Sequence, residues 1–269
     1  VHTAGKLTLN EEQEVEIAVS AYEASLNLQI WKNYVDEIGV SVIHPGGTAI
    51  GPLQRIQGTQ RFQLGETNLL VYYGEPSPYN LYQEIYLDFI PVGSYIDDGI
   101  WKIRLTPIRI TDGAFDMWLP AGNVLNSGTG FLNPVEETTL TIPSTATKVI
   151  TVGAYDARFD QAAAFSGRGY TRATNQVKPD LVAPGVEIMS CAPGGGYQVR
   201  TGTSMATPFV TGSAALLMQW GIVNGNDAYL YGEKMKAYLI RGARKLPGFT
   251  VYPNPVLGWG ALCTADSIP

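Results

Sequence analysis

The sequence predicts an α/β fold joined to an all-β domain. Three observations carry this. The first half is built of short stretches alternating polar and apolar residues with period two, separated by Gly/Pro turn clusters. The second half holds short apolar runs ending in Gly, as buried parallel strands do. It also holds two segments with helical spacing.

In chain order, Glu14–Val19, Asn27–Trp31, Gly39–Ile43, Gln83–Phe89 and Trp101–Leu105 read as strands. The turn clusters are His44-Pro45-Gly46-Gly47, Gly74-Glu75-Pro76-Ser77-Pro78, Asp97-Asp98-Gly99 and Thr111-Asp112-Gly113. Six to eight such strands predict an antiparallel sandwich of jelly-roll type over residues 1–141. Residues 142–269 form the α/β part. There Lys148–Ala154 and Val186–Ser190 read as strands. Ser204–Trp220, apolar on nearly every side, reads as a helix buried in a large core. Asp227–Arg244 is an amphipathic helix with Met235, Leu239 and Ile240 on one side and Lys234, Lys236 and Arg241 on the other.

Composition limits the functional classes. The 269 residues are 45% apolar and 16% charged, which excludes a disordered chain. Net charge is −6, divided as −10 over residues 1–141 and +4 over 142–269. An acidic chain without a basic stripe argues against nucleic acid as a partner. No apolar run approaches the roughly 18–20 residues that span a bilayer, and no secretory signal opens the chain. Starting at Val1, it reads as a processed or excised piece. Cys191 and Cys263 read as unpaired core thiols, with one disulfide as the alternative, and no metal-ligand spacing accompanies them. Asp97-Asp98 reads as a turn, because two carboxylates fall short of the 6–8 oxygens calcium takes. The 15 tyrosines are assigned to the sandwich core and rim, with a carbohydrate platform as the lesser reading.

The sharpest signal is Thr201-Gly202-Thr203-Ser204-Met205-Ala206-Thr207-Pro208-Phe209-Val210-Thr211-Gly212. A serine in the first turn of a helix stands beside unpaired main-chain N–H groups and the positive end of the dipole. There an oxyanion would develop if the hydroxyl attacked a carbonyl. Gly202 lets a substrate backbone come close. Pro208 is placed in the first turn, where a missing N–H breaks little.

This segment resembles the serine motif of the subtilisin family, Gly-Thr-Ser-Met-Ala-x-Pro. Val149 to Asp156, Phe165 to Gly169, Lys178 to Gly185 and Gly258-Trp259-Gly260 follow the family's order and spacing. The resemblance covers residues 142–269 and is nearest to clostridial germination-protease-like members. It implies the C-terminal part of a subtilisin-like parallel-sheet fold with the sandwich as an insertion. It further implies a serine endopeptidase in which Ser204 is acylated, with Gly202, Thr203, Met205 and Thr141 beside the substrate. The family's chain order is Asp, His, Ser, so the base and the orienting Asp are expected upstream, on an N-terminal segment of the same protease. A peptide or protein is the expected substrate, no cofactor is required, and structural calcium has no motif here. The resemblance also places the protein outside the cell or in a spore or cell envelope. The alternative is a catalytically dead scaffold whose sandwich is a binding module.

Other candidate residues read as structural. His2 and His44 read as peripheral, not as the base. Pro120-Ala121-Gly122-Asn123 resembles the family's second oxyanion donor, but an Asn upstream of Val1 is preferred because Ala114–Leu119 is no parallel strand. Asp156 and Asp180 are expected to be hydrogen-bonded structural residues.

Overall fold

The computed structural model describes residues 1–121 and 124–269, so Asn123 lies outside the described residues. The chain divides into two compact units, Val1–Glu136 and Glu137–Pro269. The division falls before the sequence boundary at 141/142 because Thr139 is tied into the second unit. Its N–H donates to the Arg168 carbonyl (3.0 Å), and the Arg168 N–H donates to its Oγ1 (3.0 Å).

Eleven strands make up the described first unit: β1 (His2–Lys6), β2 (Gln13–Val19), β3 (Leu26–Asn33), β4 (Glu37–Ile43), β5 (Ala49–Ile50), β6 (Thr59–Leu64), β7 (Thr67–Tyr73), β8 (Tyr82–Pro91), β9 (Gly99–Arg109), β10 (Ala114–Trp118) and β11 (Gly130–Phe131). They pair antiparallel into a six-stranded sheet, β1-β10-β3-β8-β7-β6, and a five-stranded sheet, β11-β2-β9-β4-β5. Strand β3 shows how alternation becomes architecture: Leu26, Leu28, Ile30 and Lys32 are buried, while the residues between them are half-exposed. Both sheets turn such faces into one apolar core containing Leu28, Leu69, Leu87, Phe89 and Trp101. Burying side chains of this size contributes about 1.5–3 kcal/mol each. Phe89 and Trp101 meet edge to face at 5.1 Å, an arrangement the ring quadrupoles favour.

Two buried charged groups of this unit are held by main-chain partners. Asp36, fully buried, accepts the N–H groups of Thr111 (2.6 Å), Asp112 (3.0 Å) and Gly113 (2.8 Å). Burial would raise its carboxyl, but these three donors together hold it below the ordinary value. The Lys32 ammonium donates to the Asp36 carbonyl at 2.6 Å. Burial and then the nearby Arg55 bring it down to about 8.

The histidines are less peripheral than the sequence suggested. His2 is buried, with Nε2 3.0 Å from Asp116 Oδ1 and its ring stacked on Trp118. His44 is half-buried: Nδ1 accepts the Gly46 N–H (2.8 Å), Nε2 lies 3.2 Å from Asp97, and the ring meets Trp101 edge-on. Each imidazole is thus engaged by residues remote in the chain or across a turn.

The second unit contains β12 (Val152–Asp156), β13 (Gln161–Ala162), β14 (Gly169–Tyr170), β15 (Val177–Lys178), β16 (Leu181–Pro184), β17 (Ile188–Cys191), β18 (Tyr197–Arg200), α1 (Thr203–Met218), α2 (Gly232–Arg241) and α3 (Thr264–Ser267). Strands β12 and β16 run parallel, with Ala154 opposite Ala183. β12 starts at Val152, later than the apolar run from Lys148, because the Thr151 N–H is taken by the Asp180 carboxylate (2.7 Å). Both thiols are free as expected, but Cys191 is exposed on β17 and not in a core.

Helix α1 departs from expectation. Ala206, Val210, Ser213 and Leu217 are buried on one side, while Phe209, Leu216 and Met218 are exposed. A π-helical turn, Gln219–Val223, extends it. Together Thr203–Val223 is long and apolar enough, by length and composition, to cross a membrane, and about a quarter of it is buried. Its small buried residues place it against β12 and β16, where Ala154, Ala183, Ala206 and Val210 share one core.

Candidate active site

The site is assembled where β16 hands the chain toward α1. The Gly185 N–H, just after β16, donates to the Tyr155 carbonyl (3.0 Å), and the Gly185 carbonyl accepts the Gly202 N–H (2.8 Å). Two strand ends and the helix start are therefore pinned through one residue. A Cβ on Gly185 would lie 2.6 Å from Ala154 Cβ and 2.9 Å from the Gly202 oxygen, so only glycine permits this approach. Gly202 caps the helix at φ 157°, ψ 164°, a region open essentially to glycine alone.

Ser204 is the second residue of α1 and is exposed. No side chain caps the helix, and no acidic residue lies in its first turn. By position, the N–H groups of Thr203 and Ser204 have no carbonyl four residues back inside the helix. The Met205 N–H is used locally, on the Gly202 carbonyl (3.0 Å). The Met205 sulfur packs beside Gly202, 3.6 Å from where a Cβ would be. The arrangement presents a hydroxyl next to uncompensated main-chain donors at the positive end of a helix dipole, which suits a developing anion.

Pro208 lies inside α1, beyond the first turn, because the helix begins at Thr203. Its missing N–H leaves the Ser204 carbonyl without an i+4 donor. Hydroxyls support the neighbouring turns: Thr207 Oγ1 donates to the Thr203 carbonyl (3.0 Å) and Thr211 Oγ1 to the Thr207 carbonyl (3.2 Å).

The structure brings Gly202, Thr203, Ser204 and Met205 together at one helix start. Thr141 lies elsewhere along the chain, in an exposed loop before Pro143. Asp156 is engaged by Arg158 (Nε to Oδ1, 3.0 Å; Nη2 to Oδ2, 2.7 Å), and Arg158 also meets Glu187. The guanidinium holds the Asp156 carboxyl below its usual value.

Asp180 is the centre of a buried charge cluster that sequence reading found only in part. It accepts the Thr151 N–H, Lys178 Nζ (2.8 Å) and Lys236 Nζ (2.7 Å). Both ammoniums also reach the Val149 carbonyl, at 2.9 and 3.0 Å. Burial lowers Lys178, opposed by Asp180. Lys236 comes from α2, and its spacing from Asp180 carries no local signal. Ser166, whose Oγ accepts the Ala154 N–H (3.0 Å), fixes β12 in the same way. Among the described residues, no group of three or more His, Cys, Asp or Glu could hold a metal ion.

A family model for the Subtilase family matches residues 119–260, over half of the chain. The chain belongs to the subtilase family. It is similar to the serine protease AprX of Bacillus subtilis, 34% identical over 169 residues, covering 55% of this chain and 36% of AprX. An intracellular serine protease of Paenibacillus polymyxa is 46% identical over 77 residues, covering 29% of this chain and 21% of that protein. The structure of the CspB protease of Clostridium perfringens superposes with a TM-score of 0.87 at 37% identity, over 99% of this chain and 55% of CspB. The chain thus spans about a third of AprX and about half of CspB. The CspB match extends over both units, so the sandwich as well as the α/β part has a counterpart in that solved protease.

Proposed function

We propose that this subtilase segment supplies the nucleophile of a serine endopeptidase. Ser204 Oγ attacks the scissile carbonyl, and its proton passes to a base. The Ser204 N–H and the dipole of α1 hold the oxyanion while the leaving amine departs with that proton. Water then hydrolyses the acyl ester, regenerating the hydroxyl. The reading is carried by one observation: Ser204 is exposed in the first turn of a helix whose start no side chain caps.

The base and its orienting Asp are assigned to an N-terminal segment of the same protease. His2 and His44 are already engaged by groups of the first unit. The exposed apolar side of α1, with Phe209, Leu216 and Met218, gives that segment a surface to cover. Gly202, Thr203 and Met205 are assigned to the substrate rim. The strand order of the first unit, with β1-β10-β3-β8 in one sheet and β2-β9-β4-β5 in the other, supports reading the sandwich as a jelly roll of two Greek keys. Action outside the cell or in a spore or cell envelope rests on the clostridial resemblance.

The test uses the protease with its N-terminal segment. A fluorophosphonate should label Ser204, and peptide-amide hydrolysis should fall by about 10⁶ in Ser204→Ala, the loss known for removing the serine of a subtilisin triad. Equal turnover in both proteins refutes Ser204 as the nucleophile, and absence of both labelling and turnover favours the scaffold.

A further inference from the structure

We propose that the free edge of β6, with the cleft beside it, binds an extended acidic peptide by strand addition. Three independent observations meet there.

The first is main-chain geometry. β6 is the terminal strand of its sheet and β5 the terminal strand of the other, so the loop between them crosses from one open edge to the next. β6 and β7 are joined by the two-residue turn Gly65-Glu66, with Gly65 at φ 58°, and Leu64 faces Thr67. In such a hairpin the residues flanking the turn exchange both hydrogen bonds, and every second pair does so thereafter. Leu64, Phe62 and Gln60 therefore spend their amides on β7. Thr59, Arg61 and Gln63 direct theirs to the open side, where an extended peptide would find donors and acceptors in register.

The second is a cavity. A cleft of about 340 Å³ lies between the 51–58 loop and β6, lined by Pro52, Leu53, Ile56, Gln60, Arg61 and Phe62. Gln60 Nε2 donates to the Gln54 carbonyl (2.7 Å) and fastens the loop beside the strand. An apolar side chain of an added strand has a place to enter, since alternate residues of that strand face the cleft.

The third is charge. Between Glu37 and Glu66 the sequence has no Asp or Glu but contains Arg55 and Arg61, although residues 1–141 as a whole carry 17 acids against 7 bases. Arg61 is exposed at the cleft, and Arg55 is held 4.3 Å above the Tyr34 ring. Neither arginine takes part in an ion pair among the described residues. An unpaired arginine at the cleft of an otherwise acidic unit selects an acidic occupant and repels a basic one. A charged residue on an edge strand also serves to block strand pairing. The blocking role alone predicts that neither an acidic nor a basic peptide binds.

The experiment takes the full chain and two labelled octapeptides, four Val-Glu repeats and four Val-Lys repeats, and measures binding by fluorescence anisotropy at low salt. The expected result is binding of Val-Glu, at least tenfold tighter than Val-Lys, together with slowed amide exchange at Thr59, Arg61 and Gln63. Arg61→Glu should weaken Val-Glu binding at least tenfold. A Val-Glu peptide N-methylated on alternate residues, used with the unaltered protein, should lose binding although its charge is intact. No binding of either peptide, equal affinity for both, unchanged binding after N-methylation, or protection confined to other strands would overturn the proposal.

Discussion

Asp180→Asn tests what holds the candidate site in place. Asp180 contacts two buried or nearly buried ammoniums, Lys178 at 2.8 Å and Lys236 at 2.7 Å. Replacing it with a neutral amide leaves both cations facing each other in a site 5% exposed. Breaking a buried ion pair from one side costs about 3–5 kcal/mol, a large share of the 5–15 kcal/mol typical of a folded domain. Lys178→Met should behave differently. It removes one of two cations, balances the charge of the cluster, keeps the volume, and leaves the Val149 carbonyl bonded to Lys236. Its cost should stay under about 1.5 kcal/mol. Urea unfolding read by amide exchange at Val152–Tyr155 and Leu181–Ala183 separates this unit from the sandwich. Protection there should drop by roughly a hundredfold to a thousandfold in Asp180→Asn, at 1.4 kcal/mol per factor of ten. If Lys178→Met proves the more damaging substitution, charge balance is the wrong account of this cluster.

Two glycines should fail for different reasons. Gly185→Ala places a Cβ against Ala154 and the Gly202 carbonyl, an overpacking cost of about 1–3 kcal/mol, and should slow fluorophosphonate labelling of Ser204 by shifting the helix start. Gly202→Ala meets only ordinary contacts, so its cost of about 1–3 kcal/mol comes from backbone conformation, read as a lower melting temperature. Acid sensitivity should trace partly to Asp36. Its folded carboxyl titrates below the ordinary 3.8, so its contribution is complete above that value and is lost as pH falls through the depressed one. Melting temperatures measured from pH 3 to 7 should therefore show a flatter acid limb in Asp36→Asn, and an unchanged slope would remove Asp36 from the explanation.

Strands β2, β3, β4, β8 and β9 were legible because each alternates apolar and polar residues over a sandwich face. β6 was not. Its sequence, Thr59-Gln60-Arg61-Phe62-Gln63-Leu64, buries only Leu64 fully, as an edge strand does, and the period-two signal fades with it. The burial of His2 depends on Asp116 and Trp118, more than a hundred residues away, which no local pattern encodes. The serine motif was legible because the helix start, the glycine before it and the small residues after it must all occur together. The clamp through Gly185 and the ammonium of Lys236 were hidden, since both act across the fold. The exposed side of α1 marks a further limit: an apolar side chain in a sequence carries no record of which segment covers it.

The sandwich returns its chain to the point of departure. β1 lies against β10, β11 joins β2, and the Val135 N–H reaches the His2 carbonyl at 2.7 Å. A module whose entrance and exit stand side by side can be spliced into a surface turn of a host as a plug enters a socket.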